Sequence, residues 1–396
     1  MMRVVVAPDS FKESLSAHAV AHAIAAGVRE AAPAATIVCV PMADGGDGSL
    51  DAILSACAGQ RKSAVVRNAN NQDAAADWAW LGEGRAFIEI ATACGLEQIP
   101  AGRRNALTAT SYGVGQLIAR ALDAGARHII LGLGGSACND AGAGMLQALG
   151  ARLEDERGEA LPVGGAALMQ LARLSTDDLD ARLAAATFEI AVDVDNPLCG
   201  PQGASAVFGP QKGATEKQVA QLDAALGHFA AVCAEVLHID EQRTPGTGAA
   251  GGLGFAIKTF LNGEFRPGFD LVAEMSGLSE VLAGADLVFT GEGRLDAQTL
   301  HGKTPAGVAR YAHALGLPVI AIAGSLGEGF EALYEAGITA AFSASPGPMP
   351  LEQAYRNASQ YVRQTARDST RLWLSARHGA SAHAGAGGSP QRGETQ

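Results

Sequence analysis

Two short strand–helix alternations, one at each end of the chain, narrow the possible folds more than any other feature. At the start, Val4-Val5-Val6 is short and β-branched and reads as a buried strand, with Ala7–Lys12 as the loop after it. A helix follows from near Ser16, a suitable N-cap, with Leu15 and Val20 placed to staple it. Val20, Ile24 and Val28 give it one apolar face. Thr36–Val40 is the next strand, then the loop Pro41–Gly48, then a helix with Leu50, Ile53, Leu54 and Cys57 inward. Late in the chain the pattern returns. Leu287–Phe289, Val319–Ala323 and Ile338–Phe342 read as strands, and Pro305–Leu315 and Phe330–Ala336 as helices, the first with Thr304 as N-cap and Pro305 at N1. A last helix runs to about residue 374. Neither half has enough strands for a doubly wound sheet, but together they make five. The expected fold is therefore α/β: a discontinuous Rossmann-like or flavodoxin-like domain with a five-stranded parallel sheet, built from residues 1–50 and 285–374.

Residues 51–284 then form an inserted second α/β domain. Its expected strands are Ala64–Val66, Ala76–Trp80, Ala86–Ile90, His128–Leu131 and Phe188–Val192, in a mixed sheet. Thr108–Leu122 and Ala141–Leu149 are its expected helices. From Ser375 the sequence turns to Gly, Ala, Ser, His and Pro, and 375–396 is expected to be a disordered tail.

Charge excludes some functions. With 29 basic and 41 acidic residues the net charge is −12, and no Lys/Arg run is interleaved with aromatics, so nucleic-acid binding is not expected. An anion site must then be locally basic. The six cysteines form no C-x-x-C pair, which fits free thiols in a reducing compartment. There is no signal-peptide h-region and no apolar run judged long enough to cross a bilayer, so the expected location is cytoplasmic, with no membrane partner.

Several segments could carry chemistry. In Ala285–Gly307 an apolar run ends in Glu292, Arg294 and Asp296, with Lys303 and Thr304 before the next helix. Open α/β sheets place ligands at such strand ends, and an anion with its metal would suit this one. Asp9, Ser10, Lys12, Asp44 and Asp47 follow the first two strands and should lie at the same edge. Gly132–Gly144, GLGGSACNDAGAG, follows a strand and leads into a helix, so Gly134, Gly135, Ser136 and Asn139 could cradle a phosphate; a glycine turn with Asp140 as cap is the equal alternative. Asp193 and Asp195 alternate at a strand end, where paired carboxylates suit Mg²⁺ if the strand persists, with turn capping before Pro197 as the plainer reading. Lys212 sits in the tight turn Gly209–Ala214.

Other motifs are absent. AQTLHGKT, 297–304, lacks the first glycine of a Walker A loop and no strand feeds it. No G-x-G-x-x-G opens the first helix, which counts against a dehydrogenase, and neither a G-x-S-x-G elbow nor zinc-ligand spacing is present.

Six ordered motifs carry a family likeness: VVVAPDSFKESLSA (Val4–Ala17), PMADGGDGS (Pro41–Ser49), GLGGSACNDAGAGMLQALG (Gly132–Gly150), AVDVDNPLCGPQGA (Ala191–Ala204), FGPQKGA (Phe208–Ala214) and FTGEGRLDAQTLHGKTP (Phe289–Pro305). From Arg3 to about Leu374 the chain resembles the bacterial glycerate kinase family of the glycerate 2-kinase type, neither P-loop nor MOFRL. Cys138 stands where similar proteins often have threonine, and Asp47 where they often have glutamate. The resemblance implies ATP-dependent phosphorylation of D-glycerate to 2-phosphoglycerate with Mg²⁺, in a Rossmann-like domain with an inserted α/β domain. Phosphoryl transfer asks mainly for positioning and charge neutralisation. Lys12 or Arg294 would pair with the substrate carboxylate, and Lys212 or Lys303 with the transferred phosphate. Asp44, Asp193 or Asp296 would orient or deprotonate the hydroxyl. Ser10, Gly134, Gly135, Ser136, Asn139 and Glu292 would bind substrate or phosphate, and Asp193 with Asp195 the metal. The expected site is a cleft between the domains. A non-catalytic sugar-acid sensor and a kinase giving 3-phosphoglycerate are the alternatives, and a homodimer is left open.

Overall fold

The computed structural model describes residues 2–300 and 302–386, with side chains as far as Arg377. The chain divides into two compact units, Met1–Pro41 with Leu278–Gln396, and Met42–Gly277. The 41–48 loop and the helix after it therefore fall mainly in the second unit, where the sequence reading has its seam at residue 50.

The first unit holds five parallel strands: β1 (Arg3–Val6), β2 (Thr36–Cys39), β11 (Leu287–Leu295), β12 (Val319–Leu326) and β13 (Ala340–Ser343). Their spatial order is β13-β12-β11-β1-β2, so the late strands pair with the early ones through β1 and β11. Val4, Val6, Leu287, Phe289 and Ile322 are fully buried, as strands covered on both faces require. Helix Ala17–Ala31 lays Val20, Ile24 and Val28 into this core, and Ser16 Oγ caps it by accepting from Ala19 N at 3.2 Å. It packs along the long helix Ala358–Ala386. The expected tail is thus corrected in part, because the chain stays helical from 375 to Ala386; the remainder of that expectation, 387–396, lies outside the described residues. Phe330–Tyr334 forms only a short 3-10 turn.

The second unit centres on a six-stranded mixed sheet, order β10-β9-β6-β5-β4-β3. It is made of β3 (Gln60–Arg67), β4 (Asp73–Gly82), β5 (Arg85–Glu89), β6 (His128–Gly132), β9 (Thr187–Ala191) and β10 (Glu264–Arg266). Strands β3, β4 and β5 run antiparallel in turn, while β5, β6, β9 and β10 are parallel. A separate antiparallel pair joins β7 (Arg152–Glu154) to β8 (Arg173–Ser175). The four parallel strands put the carboxyl ends of β5, β6, β9 and β10 along one edge, and this edge positions the site described below.

The sequence reading passed over one large element, the helix Glu216–Leu237. Its signal was present: Thr215 and Gln218 form a capping box. By length and composition this helix could cross a membrane, which corrects the statement that no apolar run is long enough. Here Leu222, Leu226 and Phe229 are fully buried in the second unit, and Phe229 meets Phe255 edge-on with ring centroids 6.0 Å apart.

Candidate active site

In the first unit the chemistry gathers at the carboxyl ends of β1 and β11. The charged segment is not a loop, because β11 continues through Gly291-Glu292-Gly293-Arg294 and pairs Glu292 with Ala323 and Arg294 with Ser325 on β12. Glu292 and Arg294 share a parity and so one face of β11, while Asp296 follows the end of the strand. Glu292 Oε1 accepts from Thr299 Oγ1 at 2.6 Å, and Lys303 Nζ lies 3.6 Å from Glu292 Oε2. Arg294 Nε donates to Asp296 Oδ2 at 3.1 Å, and Asp296 Oδ1 accepts from Gln298 N at 3.0 Å. From β1, Asp9 N donates to Gly291 O at 2.8 Å. Its carboxylate accepts from Ser10 N and from Thr304 Oγ1, both at 2.6 Å. Thr304 opens the helix Thr304–His313 and Lys303 is the N-cap residue, one position earlier than expected. Lys12 is exposed on the loop after Ser10. The structure thus brings Ser10, Glu292, Arg294, Asp296 and Lys303 to one edge, tied together by Asp9, Thr299 and Thr304. Asp44, expected beside them, is counted with the second unit.

In the second unit the loop 41–48 meets the loops that follow β6 and β9. Gly268, which follows β10 and opens the helix Gly268–Met275, lies against both Asp44 and Asp193. A Cβ there would lie 1.9 Å from the Asp44 carbonyl and 2.9 Å from Asp193 Oδ2, so only glycine fits. Gly268 N donates to Asp193 Oδ1 at 2.9 Å, making the Asp193 carboxylate a cap for that helix. Desolvation pushes the Asp193 carboxyl up to about 7, opposed by the Gly268 amide and reinforced by the charges of Asp44 and Asp270. Asp193 is exposed. β9 ends at Ala191, so the strand does not persist and Asp193 and Asp195 do not share a strand face; Asp195 is exposed. Among the described residues no group of three or more His, Cys, Asp or Glu side chains gathers as a metal cage.

The glycine segment after β6 splits into two roles. Asp140, fully buried, accepts from Ser111 N (2.8 Å), Ser111 Oγ (2.9 Å), Gly142 N (3.2 Å) and Gly144 N (3.3 Å), so it locks the turn. Asn139 is buried and donates to Ser205 Oγ at 2.9 Å. The helix that follows, Ala143–Ala148, is short and starts from Gly142. The other half faces the 41–48 loop. Gly135, at φ +70°, lies under the Asp47 carboxylate, where a Cβ would come within 2.0 Å of Oδ1. Next to it Ser136 Oγ accepts from Lys212 Nζ at 3.0 Å, and the Cys138 carbonyl accepts from the same nitrogen at 2.7 Å. Lys212 is 3% exposed, and among the described residues no carboxylate stands within salt-bridge distance of it. Burial holds its pKa below the usual lysine range. A buried ammonium beside a glycine turn can hold an anion.

The sequence reading missed Glu89. It closes β5, is 6% exposed, and accepts from Gly48 N (3.1 Å) and Leu50 N (2.8 Å). Its signal was an acid at the carboxyl end of the apolar run Ala86–Ile90.

Known proteins share this architecture over nearly its whole length. The model of the glycerate kinase family matches residues 4–374. A glycerate kinase of Bacillus subtilis (strain 168) is 48% identical over 368 residues, spanning 93% of this chain and 96% of its own. The glycerate 2-kinase of Escherichia coli (strain K12) is 46% identical over 368 residues, 93% of this chain and 97% of its own. A crystal structure of a protein assigned as glycerate kinase 2 from Salmonella typhimurium LT2 superposes with a TM-score of 0.84 at 47% identity, covering 95% of this chain and 99% of that one. With the five-stranded and mixed sheets in place and relatives of this likeness along both, the chain belongs to the glycerate kinase family.

Proposed function

We propose that this protein transfers the γ-phosphoryl group of ATP to the 2-hydroxyl of D-glycerate, giving 2-phosphoglycerate with the help of Mg²⁺. The observation that carries the reading is the approach of Asp193 and Asp44 at Gly268, whose amide holds Asp193 Oδ1 at 2.9 Å and where a Cβ would strike the Asp44 carbonyl. The Asp193 carboxyl is raised toward the pH at which a base for an alcohol works best. Of the three candidate bases it is our choice over Asp296, which is bound to Arg294 and to the Gln298 amide; Asp44, which like Asp193 accepts one backbone amide, is the alternative. Lys212, supported by Ser136, is our choice for the cation that holds the transferred phosphate. Lys12 and Arg294 are the candidates to pair with the carboxylate of the acceptor. Mg²⁺ retains several waters and needs only one or two carboxylates besides the phosphates, so a missing three-residue cage is compatible with it. With Asp193 taken as the base, the exposed Asp195 is the carboxylate that would hold it, and the metal would supply charge neutralisation on the phosphates. The E. coli relative named as a 2-kinase supports the position of transfer. Six free cysteines fit a reducing compartment.

The test mixes the purified protein with ATP, Mg²⁺ and D-glycerate and follows the product by ³¹P NMR. 2-Phosphoglycerate is expected. 3-Phosphoglycerate would move the transfer to the other hydroxyl, and glycerate binding in a calorimeter without ATP consumption would make the protein a sensor.

A further inference from the structure

The loop that carries Asp44 is held at its far end by a residue that the reaction scheme does not use. Strand β5 ends in Glu89, whose main chain pairs with Gly132 at the start of the glycine segment. Its side chain is buried, and each of its oxygens accepts one amide: Gly48 N on Oε1 and Leu50 N on Oε2. Those amides belong to the first turn of the helix Ser49–Ala56, whose N-cap Gly48 has no side chain to cap it. A serine or threonine at the cap position would serve the helix without burying a carboxylate. The acid instead comes from the neighbouring sheet and ties the loop to the same edge as the glycine segment. At its other end the loop is pressed on that edge through Asp47 over Gly135 and through the Asp44 carbonyl against Gly268.

We propose that Glu89 is a positioning residue for the candidate site: by accepting the Gly48 and Leu50 amides it holds the Asp44–Gly48 loop in the register that sets Asp44 beside Asp193. This rests on the kinase reading of that site. Burial, with the charges of Asp47 and Asp51, pushes the Glu89 carboxyl up to about 7, opposed by the two amides. Around it, Arg61 on β3 pairs with Asp51 and with Asp77 on β4. The Asp77 carbonyl shares Thr92 Oγ1 with the Glu89 carbonyl. Cys94, a thiol held well above its usual range, is the titratable group of the short Ala91–Cys94 turn, and β6 offers only Gly132 at this end.

Glu89→Gln tests this in the full chain. Glutamine keeps the shape but turns an NH₂ toward one of the two amides, so one bond is lost. Hydrogen exchange across residues 42–50, corrected for intrinsic rates, is expected to quicken at least about tenfold while β6 and β9 stay protected. The kcat for D-glycerate should drop at least about fivefold with KM for ATP within about twofold, and the acid limb of the pH profile should change shape. If the variant does not fold, Glu89→Asp answers instead: the shorter side chain keeps the charge but falls short of the Gly48 and Leu50 amides, so exchange across 42–50 should quicken while β6 and β9 stay protected. Unchanged exchange overturns the proposal, and so does a loosened loop with wild-type kcat and pH profile. An inactive wild type whose loop still loosens in E89Q discards the kinase reading and keeps the loop assignment.

Discussion

Two carboxyls, Asp193 and Glu89, are both pushed up to about 7, and their different exposures separate their consequences. Asp193 is open to solvent and must be ionised to take a proton from the acceptor hydroxyl. Activity should therefore rise with pH through about 7 and lose that limb in Asp193→Asn. If Asp193 is the base, this variant should lower kcat by at least about a hundredfold, measured by coupled ADP release from pH 5.5 to 9. Near-normal turnover would move the role to Asp44. Glu89 is buried, so its shift also bears on stability. The folded state keeps its proton up to about pH 7, whereas the unfolded chain releases it near 4.5. Its contribution to stability is thus full below 4.5 and falls as pH rises through that window, by about 3 kcal/mol in all. Replacing it by glutamine removes this slope but also one amide bond. The melting temperature of E89Q relative to wild type should accordingly be higher at pH 8.5 than at pH 4.5, by calorimetry. Equal differences at the two pH values would mean that Glu89 does not titrate in this range.

At the scale of elements, the site hangs on where strands stop and where backbones touch. Gly268 carries the sharpest prediction, because a methyl group there would strike the Asp44 carbonyl, which is backbone and cannot swing aside. Gly268→Ala should lower the melting temperature and reduce kcat at least about tenfold by driving Asp44 and Asp193 apart; a variant that melts and turns over like wild type would show that the loops have room to spare. The contact is invisible in the sequence, where Gly268 is one of 50 glycines and lies far from Asp44 and Asp193. What was legible follows the same logic in reverse. Val4–Val6 and Leu287–Phe289 could be read because parallel strands buried on both faces are continuous apolar runs. The extension of β11 through Glu292 and Arg294 could not, since glycines and charges look like loop until β12 pairs with them. The shared strand face expected for Asp193 and Asp195 failed for a related reason: Val192 and Val194 continue the alternation, but β9 has already ended at Ala191. Lys212 was legible only as a lysine in a turn; its hydrogen-bond partners, Ser136 and Cys138, are distant in sequence.

For the whole molecule, the discontinuity of the first unit makes a prediction about folding. The second unit is one continuous stretch, and its core, from Val66 to Leu261, draws on no residue outside it. Its two ends lie together, with Ser276 Oγ 3.6 Å from Met42 Sδ and Cys57 Sγ donating to the Met275 carbonyl at 2.7 Å. Excising residues 42–277 therefore leaves no long loop to close and exposes no strand edge that the first unit had paired, because every partner of β3–β10 is internal. The first unit behaves oppositely. Its central strand β11 pairs with β12 on one side and with β1 on the other, so residues 1–41 and 278–396 each hold only part of one sheet. The core of that sheet likewise mixes Val4, Val20 and Ile24 with Phe289, Ile322 and Val362. Residues 42–277 expressed alone should give a cooperative thermal transition by circular dichroism. Residues 278–396 alone should melt without one and recover it when residues 1–41 are joined by a short glycine linker across 41 and 278. A cooperative 278–396 fragment would mean that β1 and β2 are dispensable to the sheet; a non-cooperative 42–277 fragment would mean that its core depends on the chain around it.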